Sequence, residues 1–353
     1  MTPIDRTLNK NIKIIGNSKL RTWRIAGRPV FPAFIVGPVI FLLLVWFIWR
    51  QVTHQHDWKR SLGQVLNAVT GPGQWRLWLV VALMPLNWGI EARKWQLALR
   101  PVGGIAFKNA FRAIFTGTTM ASFTPNRMGE YLGRILYIQE GRRVAAISLS
   151  MVCSMAQLLI TLVSGAAGII YLRPILHQRE LGLPRQLESA LGILLGIVAV
   201  ALVSLTFIYF LLPKFANKLV KLTWVRKYGA FIKVLENFDT RILLWILLLS
   251  FGRYIVFIVQ YGLIFSVFGV NLGIGQVWGG MSVVFLVMAV VPTFTFLTEL
   301  GLRWEASIQV LEIFSANTIG IFASSFAIWL INLVIPALIG SLLIISIKLF
   351  KSR

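Results

Sequence analysis

Apolar residues along this chain come in runs too long for a soluble core. Six stretches, residues 30–49, 75–99, 144–172, 187–212, 242–270 and 316–350, are dominated by Leu, Ile, Val, Phe, Ala and Trp over twenty residues or more. About twenty consecutive apolar residues form a helix that spans the hydrocarbon of a bilayer, so each stretch is expected to cross a membrane. The first is closed by Arg50 and not by a small-residue cleavage site, which marks a span and not a signal peptide. In the last, Pro336 is expected to kink the helix. Two further stretches, 105–124 and 277–297, each run into a proline and then into a short segment carrying Gly, Glu and Arg. They are expected to be re-entrant half-helices, because backbone broken at membrane depth survives only where protein or a water-filled cavity surrounds it. Read instead as ordinary spans, they would raise the count from six to eight.

The two broken stretches resemble each other. The first continues as TMASFTPNRMGEYLGRILYI (119–138) and the second as LVMAVVPTFTFLTELGLRWEASI (286–308). Glu130 precedes Arg134 by four residues, Glu299 precedes Arg303 by four, and the two pairs lie 169 residues apart; Pro125 and Pro292 lie 167 apart. Each motif follows a long span, a Gly-containing turn and an apolar half-helix, and each precedes another long span. The pattern predicts an all-α polytopic membrane protein with a duplication, repeats about 75–172 and 242–350, and one extra helix between them. The number of crossings makes the two repeats inverted, the arrangement of alternating-access carriers.

Composition agrees with a membrane protein: of 353 residues, 57% are hydrophobic and 13% charged. The balance of 35 Lys and Arg against 12 Asp and Glu gives a net charge of +23. With six crossings and the N-terminus inside, 26 of the 35 basic residues fall in cytoplasmic segments, as the positive-inside rule expects. Residues 1–29 then form a basic cytoplasmic tail, residues 30–350 one transmembrane domain, and residues 213–241 a basic interfacial segment on an anionic leaflet. Both termini are expected in the cytoplasm and the protein in the cytoplasmic (inner) membrane. The charge needs no nucleic acid to explain it.

Several chemistries are poorly supplied. Cys153 is the lone cysteine, so no intramolecular disulfide or CxxC metal site can form, and the three Asp (Asp5, Asp57, Asp239) make no DxD motif. His54, His56 and Asp57 have superficial metal-ligand spacing but read as a solvated loop, and neither metal nor cofactor is expected. The thirteen Trp fit interface belts and lipid contacts.

The intramembrane charges are the candidate site. A charge at the bilayer centre costs at least about 2.5–3.5 kcal/mol, so buried charges mark a partner or a pathway. Arg134 and Arg303, each four residues after a Glu, can pair with it on one helix face. Beside half-helix N-termini such guanidinium groups suit a phosphate. Arg253 lies within the fifth span and could be held by Glu91 in the second; Arg93 and Lys94 read as interfacial anchors at the inner end of that span.

RKWQLAL (93–99), SFTPNRMGEYLGRILYI (122–138) and PTFTFLTELGLRWEASI (292–308) together resemble the transmembrane flippase-like family named after lysylphosphatidylglycerol synthase. The resemblance covers about residues 30–350 and implies an integral inner-membrane protein of a family whose better-known members move aminoacylated phospholipids between leaflets. It would place Pro125, Arg127, Gly129, Glu130 and Arg134 in a first motif and Pro292, Glu299, Gly301, Arg303 and Glu305 in a second. Thr293-Phe294-Thr295-Phe296 replaces the family's glycine-rich run, and no soluble domain for lysyl transfer is expected. The expected function is a flippase-like lipid transporter acting on a phosphate-bearing lipid and binding it through Arg134, Arg303, Arg253, Arg127, Glu130, Glu299, Glu91 and Glu305. The alternatives are a membrane-embedded transferase on a phospholipid or prenyl phosphate, with Glu130 or Glu299 as base, and a non-catalytic membrane partner of a lipid synthase or glycosyltransferase.

Overall fold

The computed structural model describes residues 73–178, 185–220, 239–293 and 296–351, with the isolated positions 46 and 71. The expected first span, the basic tail, the His54–His56–Asp57 loop and residues 221–238 of the basic segment lie outside these. Ten α-helices are described, and no strand is present among the described residues: α1 Gln74–Ala98, α2 Phe107–Ala121, α3 Gly129–Ile135, α4 Arg143–Gln178, α5 Arg185–Val220, α6 Thr240–Val267, α7 Ile274–Val290, α8 Phe296–Leu311, α9 Thr318–Trp329 and α10 Ile335–Lys351. Four stretches, Glu140–His177, Leu191–Leu211, Thr240–Val267 and Thr318–Ile344, are long and apolar enough to cross a membrane. By that measure the chain is an all-helical, multi-pass membrane protein. At 1.5 Å per residue, α1 is also long enough, but Glu91, Arg93 and Lys94 make it more polar than these four.

The order long helix, short helix, shorter helix, long helix occurs twice, as α1 to α4 and as α6, α7, α8 and the continuous run of α9 into α10. Both series follow their first helix with a glycine in the left-handed region: Gly103 (φ 100°) after the short turn that succeeds α1, and Gly269 (φ 69°) two residues past the end of α6. In the first, Pro101 within the turn Arg100–Val102 reinforces the stop. The packing repeats as well. Helix α1 lies along α6, α4 packs on α7, and α10 packs on α2.

Both of these last crossings are made by small residues, which is how helices associate where lipid is as apolar as the side chains. Gly165 and Gly168 of α4 lie against Leu286 and Gly279 of α7, while Gly340 of α10 lies on Phe115 and Thr119 of α2. Thr119 Oγ1 also donates to the Ala337 carbonyl at 2.7 Å. A third close approach, of Gly133 on Gly117, seats α3 on α2.

Two helices differ from their expected course. Helix α5 runs on to Val220, past residue 212, so the first part of the basic segment continues the helix. Near Pro336 the chain forms a five-residue π-helix, Leu330–Val334, between α9 and α10. Proline leaves the carbonyl four residues back, that of Asn332, without its usual donor, and the wider turn makes room for the ring.

Replacing Gly340 by Ala drives a Cβ into the Phe115 carbonyl oxygen. This is expected to cost about 1–3 kcal/mol, read as a lower unfolding temperature in detergent. At Gly89, where an added Cβ meets nothing within 4 Å, the same change leaves the transition in place.

Candidate functional site

The second half of α1 carries Asn87, Glu91 and Lys94 on one face, spaced four and three residues apart, and all three are buried. The α1 backbone aims this face between α3 and α6. Glu91 Oε2 accepts from Lys94 Nζ at 2.7 Å and from Arg253 of α6 at 2.9 Å, and Glu91 Oε1 accepts from Arg134 of α3 at 2.9 Å. The side chains of Lys94, Arg134 and Glu91 are 2%, 3% and 4% exposed. One carboxylate therefore gathers three cations from three helices. Asn87 Oδ1 takes the Arg253 Nε–H at 2.8 Å. Two tryptophans cover the guanidinium groups: Trp88 lies 5.0 Å from Arg253 and Trp95 lies 5.9 Å from Arg134. Both were expected in lipid or interface contacts, but a buried cation needs an aromatic face in place of water. Trp75, Trp78 and Trp245 do face outward.

The network continues through the two proline motifs. Arg134 also pairs with Glu130, its i−4 neighbour, as expected. Glu130 in turn faces Arg127 at 3.7 Å, and Arg127 reaches Glu299 of the second motif at 3.6 Å. Glu299 accepts from Arg303, its i+4 neighbour, at 3.0 Å, and Arg303 donates to the Tyr261 hydroxyl of α6 at 3.0 Å. The chain of contacts thus runs from α1 through the first break to the second and back to α6.

The breaks touch through their backbones. Thr124 Oγ1 accepts the Gly129 N–H at 2.6 Å and closes the turn after α2, while Asn126 (φ 49°) and Arg127 (φ 57°) occupy the left-handed region. Two consecutive non-glycine residues there cost about 1–2 kcal/mol each. The turned-out Asn126 N–H donates to the Thr293 carbonyl at 2.9 Å, one residue after Pro292. Beside this contact is a small cleft of about 10 Å³ lined by Thr118, Ser122, Thr124, Arg127, Thr293 and Glu299, among others. Arg127 is the most open of the paired cations, its side chain 34% exposed.

Five cations (Lys94, Arg127, Arg134, Arg253, Arg303) and three carboxylates (Glu91, Glu130, Glu299) make up the cluster, an excess of two positive charges among the described residues. The Nε–H groups of Arg134 and Arg303, one in each motif, have no hydrogen-bond partner.

Of the residues expected at the site, Arg134, Arg303, Arg253, Arg127, Glu130, Glu299 and Glu91 come together, and Pro125 and Gly129 shape the first break. Gly129 packs on the Met120 carbonyl, where no Cβ fits. Glu305 does not join them: it is exposed on another face of α8 and accepts from Gln309. Gly301 has open space where a Cβ would go, so packing does not require glycine there. Lys94, Asn87 and Tyr261 belong to the cluster without having been anticipated. The spacing of Asn87, Glu91 and Lys94 on one helical face was the available signal for two of them. Lys94 is no interfacial anchor: its ammonium is turned onto Glu91. Arg93, on the outer face, is exposed.

Gln260 of α6 lies 169 residues after Glu91, the spacing of the two Glu–Arg pairs. It is buried too, donating to the Val80 carbonyl at 2.9 Å and accepting from Asn332 at 3.1 Å. Among the described residues, no three His, Cys, Asp or Glu side chains come together to hold a metal ion. Comparison with protein-family models and with curated proteins gives no match.

Removing the Glu91 charge leaves three buried cations short of a partner, which costs about 3–5 kcal/mol. Glu91→Gln is therefore expected to lower the unfolding temperature strongly, with Arg93→Gln within about 0.5 kcal/mol of the parent. Equal stability of the two variants would show that the cluster does not depend on Glu91.

Proposed function

We propose that this protein carries a phosphate-bearing lipid between the leaflets of the cytoplasmic membrane. The observation that carries this reading is the cationic excess of the buried cluster at the place where the two breaks meet. Uncompensated charge away from water is costly, and an anion entering the cleft offsets it. The phosphate would compete with Glu130 and Glu299 for Arg127, whose pairs with them are the longest in the cluster. Releasing Glu299 from Arg127 loosens the tie between the motifs, so binding and conformational change are coupled by one exchange of ion pairs. Arg134 and Arg303 keep the positive potential on either side and offer their remaining Nε–H donors to the lipid phosphate in turn.

In the architecture that goes with this reading, α2–α3 and α7–α8 are re-entrant hairpins entering from opposite faces, within an inverted repeat of about 75–172 and 242–350. The doubled helix order and the exchanged packing of α4 on α7 and α10 on α2 support it. The distribution of basic residues accords with six full spans and both termini in the cytoplasm. The lipid-transporter resemblance of the proline motifs points the same way. A transferase has less support, because Glu91, Glu130 and Glu299 are each engaged by cations and none is left as a free base.

Purified protein in liposomes is expected to accelerate the exchange of labelled anionic phospholipid between leaflets. Arg127→Ala and Arg303→Ala should each reduce the rate about tenfold or more while thermal unfolding shows the variants folded. Rates equal to the parent's in both variants would remove the cluster from the transport path.

A further inference from the structure

Resting on the carrier reading above, the cluster's charge also points to the kind of phosphate it takes. Five cations face three carboxylates, so two charges are left to be matched. A phosphodiester head group, as in most glycerophospholipids, brings one negative charge and leaves the cluster unbalanced. A phosphate monoester brings close to two above its second ionisation, near pH 6. Of the cluster's cations, Arg127 is the one that lines the cleft, with its guanidinium half open, while the unpartnered Nε–H groups of Arg134 and Arg303 are buried outside that lining. The hydroxyls of Thr118, Ser122 and Thr124 donate to their own helix backbone, which leaves Arg127 as the cation facing the cleft.

We infer that the cleft between the two proline breaks selects a lipid whose head group is a phosphate monoester over one whose phosphate is a diester. Arg127 is the cation that sets this preference. Phosphatidate and prenyl phosphates share the chemistry, as does free inorganic phosphate.

The test is binding of dioleoyl phosphatidate and dioleoyl phosphatidylglycerol to the full chain in phosphatidylcholine nanodiscs at about pH 8.5, above the second phosphate ionisation. Phosphatidate is expected to bind about tenfold more tightly. Arg127→Gln, which lowers the excess from two to one, should collapse that ratio towards one, and Arg127→Lys should retain it. Inorganic phosphate is the third arm: competition in the millimolar range identifies the phosphate group as sufficient, no competition identifies the lipid as the source, and both accord with the monoester assignment. Equal affinity for the two lipids in the parent protein overturns the preference while leaving the carrier reading intact. A ratio unchanged in Arg127→Gln removes Arg127 from selection. Failure of the folded protein to bind either lipid overturns both.

Discussion

One buried carboxylate organises this protein. Glu91 sits in the second half of α1 and holds Lys94 from its own helix, Arg253 from α6 and Arg134 from α3. In a lipid-surrounded interior a cation without such a partner is expelled or drags water with it, so the three helices are tied to wherever Glu91 is. The tie to Arg253 fixes α1 along α6, and Asn87 and Trp88 on the same face of α1 complete the Arg253 environment. The tie to Arg134 draws α3 inwards, and α3 reaches that depth only because Gly133 and Gly117 let the backbones of α3 and α2 nearly touch. Charge placement and glycine placement are two parts of one constraint.

The same economy of side chains recurs wherever two helices must come close. Dispersion between lipid-like surfaces gives no preference for protein over lipid, so association depends on backbone proximity and on hydrogen bonds that hydrocarbon cannot offer. The α10–α2 crossing has both, through Gly340 and the Thr119 hydroxyl. The α4–α7 crossing uses Gly165, Gly168 and Gly279, with Tyr171 folded over the last. Nearby, the Tyr254 hydroxyl of α6 meets the Ser282 hydroxyl of α7, each serving a polar group that would otherwise face apolar surroundings.

Much of the fold could be read directly from the sequence, because helices of this kind are dictated by local composition. The long apolar runs, the Pro breaks and the doubled order of elements need no knowledge of neighbours. The Glu130–Arg134 and Glu299–Arg303 pairs were legible for the same reason, both partners being on one helix. Arg127–Glu299 and Arg134–Glu91 were not, since which helices lie side by side is decided by packing and not by spacing along the chain. Lys94 shows the limit most clearly. Its position near the end of an apolar run has the sequence character of an anchor, and only the arrangement of α3 and α6 around α1 makes it an interior ion. Trp88 and Trp95 were misread by the same logic, whereas Trp75 and Trp78 at the start of α1 face outward as composition suggests.

At the register where α1 carries a carboxylate, α6 carries the amide Gln260. Carboxylate and amide are nearly the same size, so the steric match between the halves is kept while the electrostatics are not. Glu91 binds cations, whereas Gln260 joins the neutral ladder of Val80 and Asn332. The α1 position therefore anchors ions, and the α6 position anchors neutral hydrogen bonds.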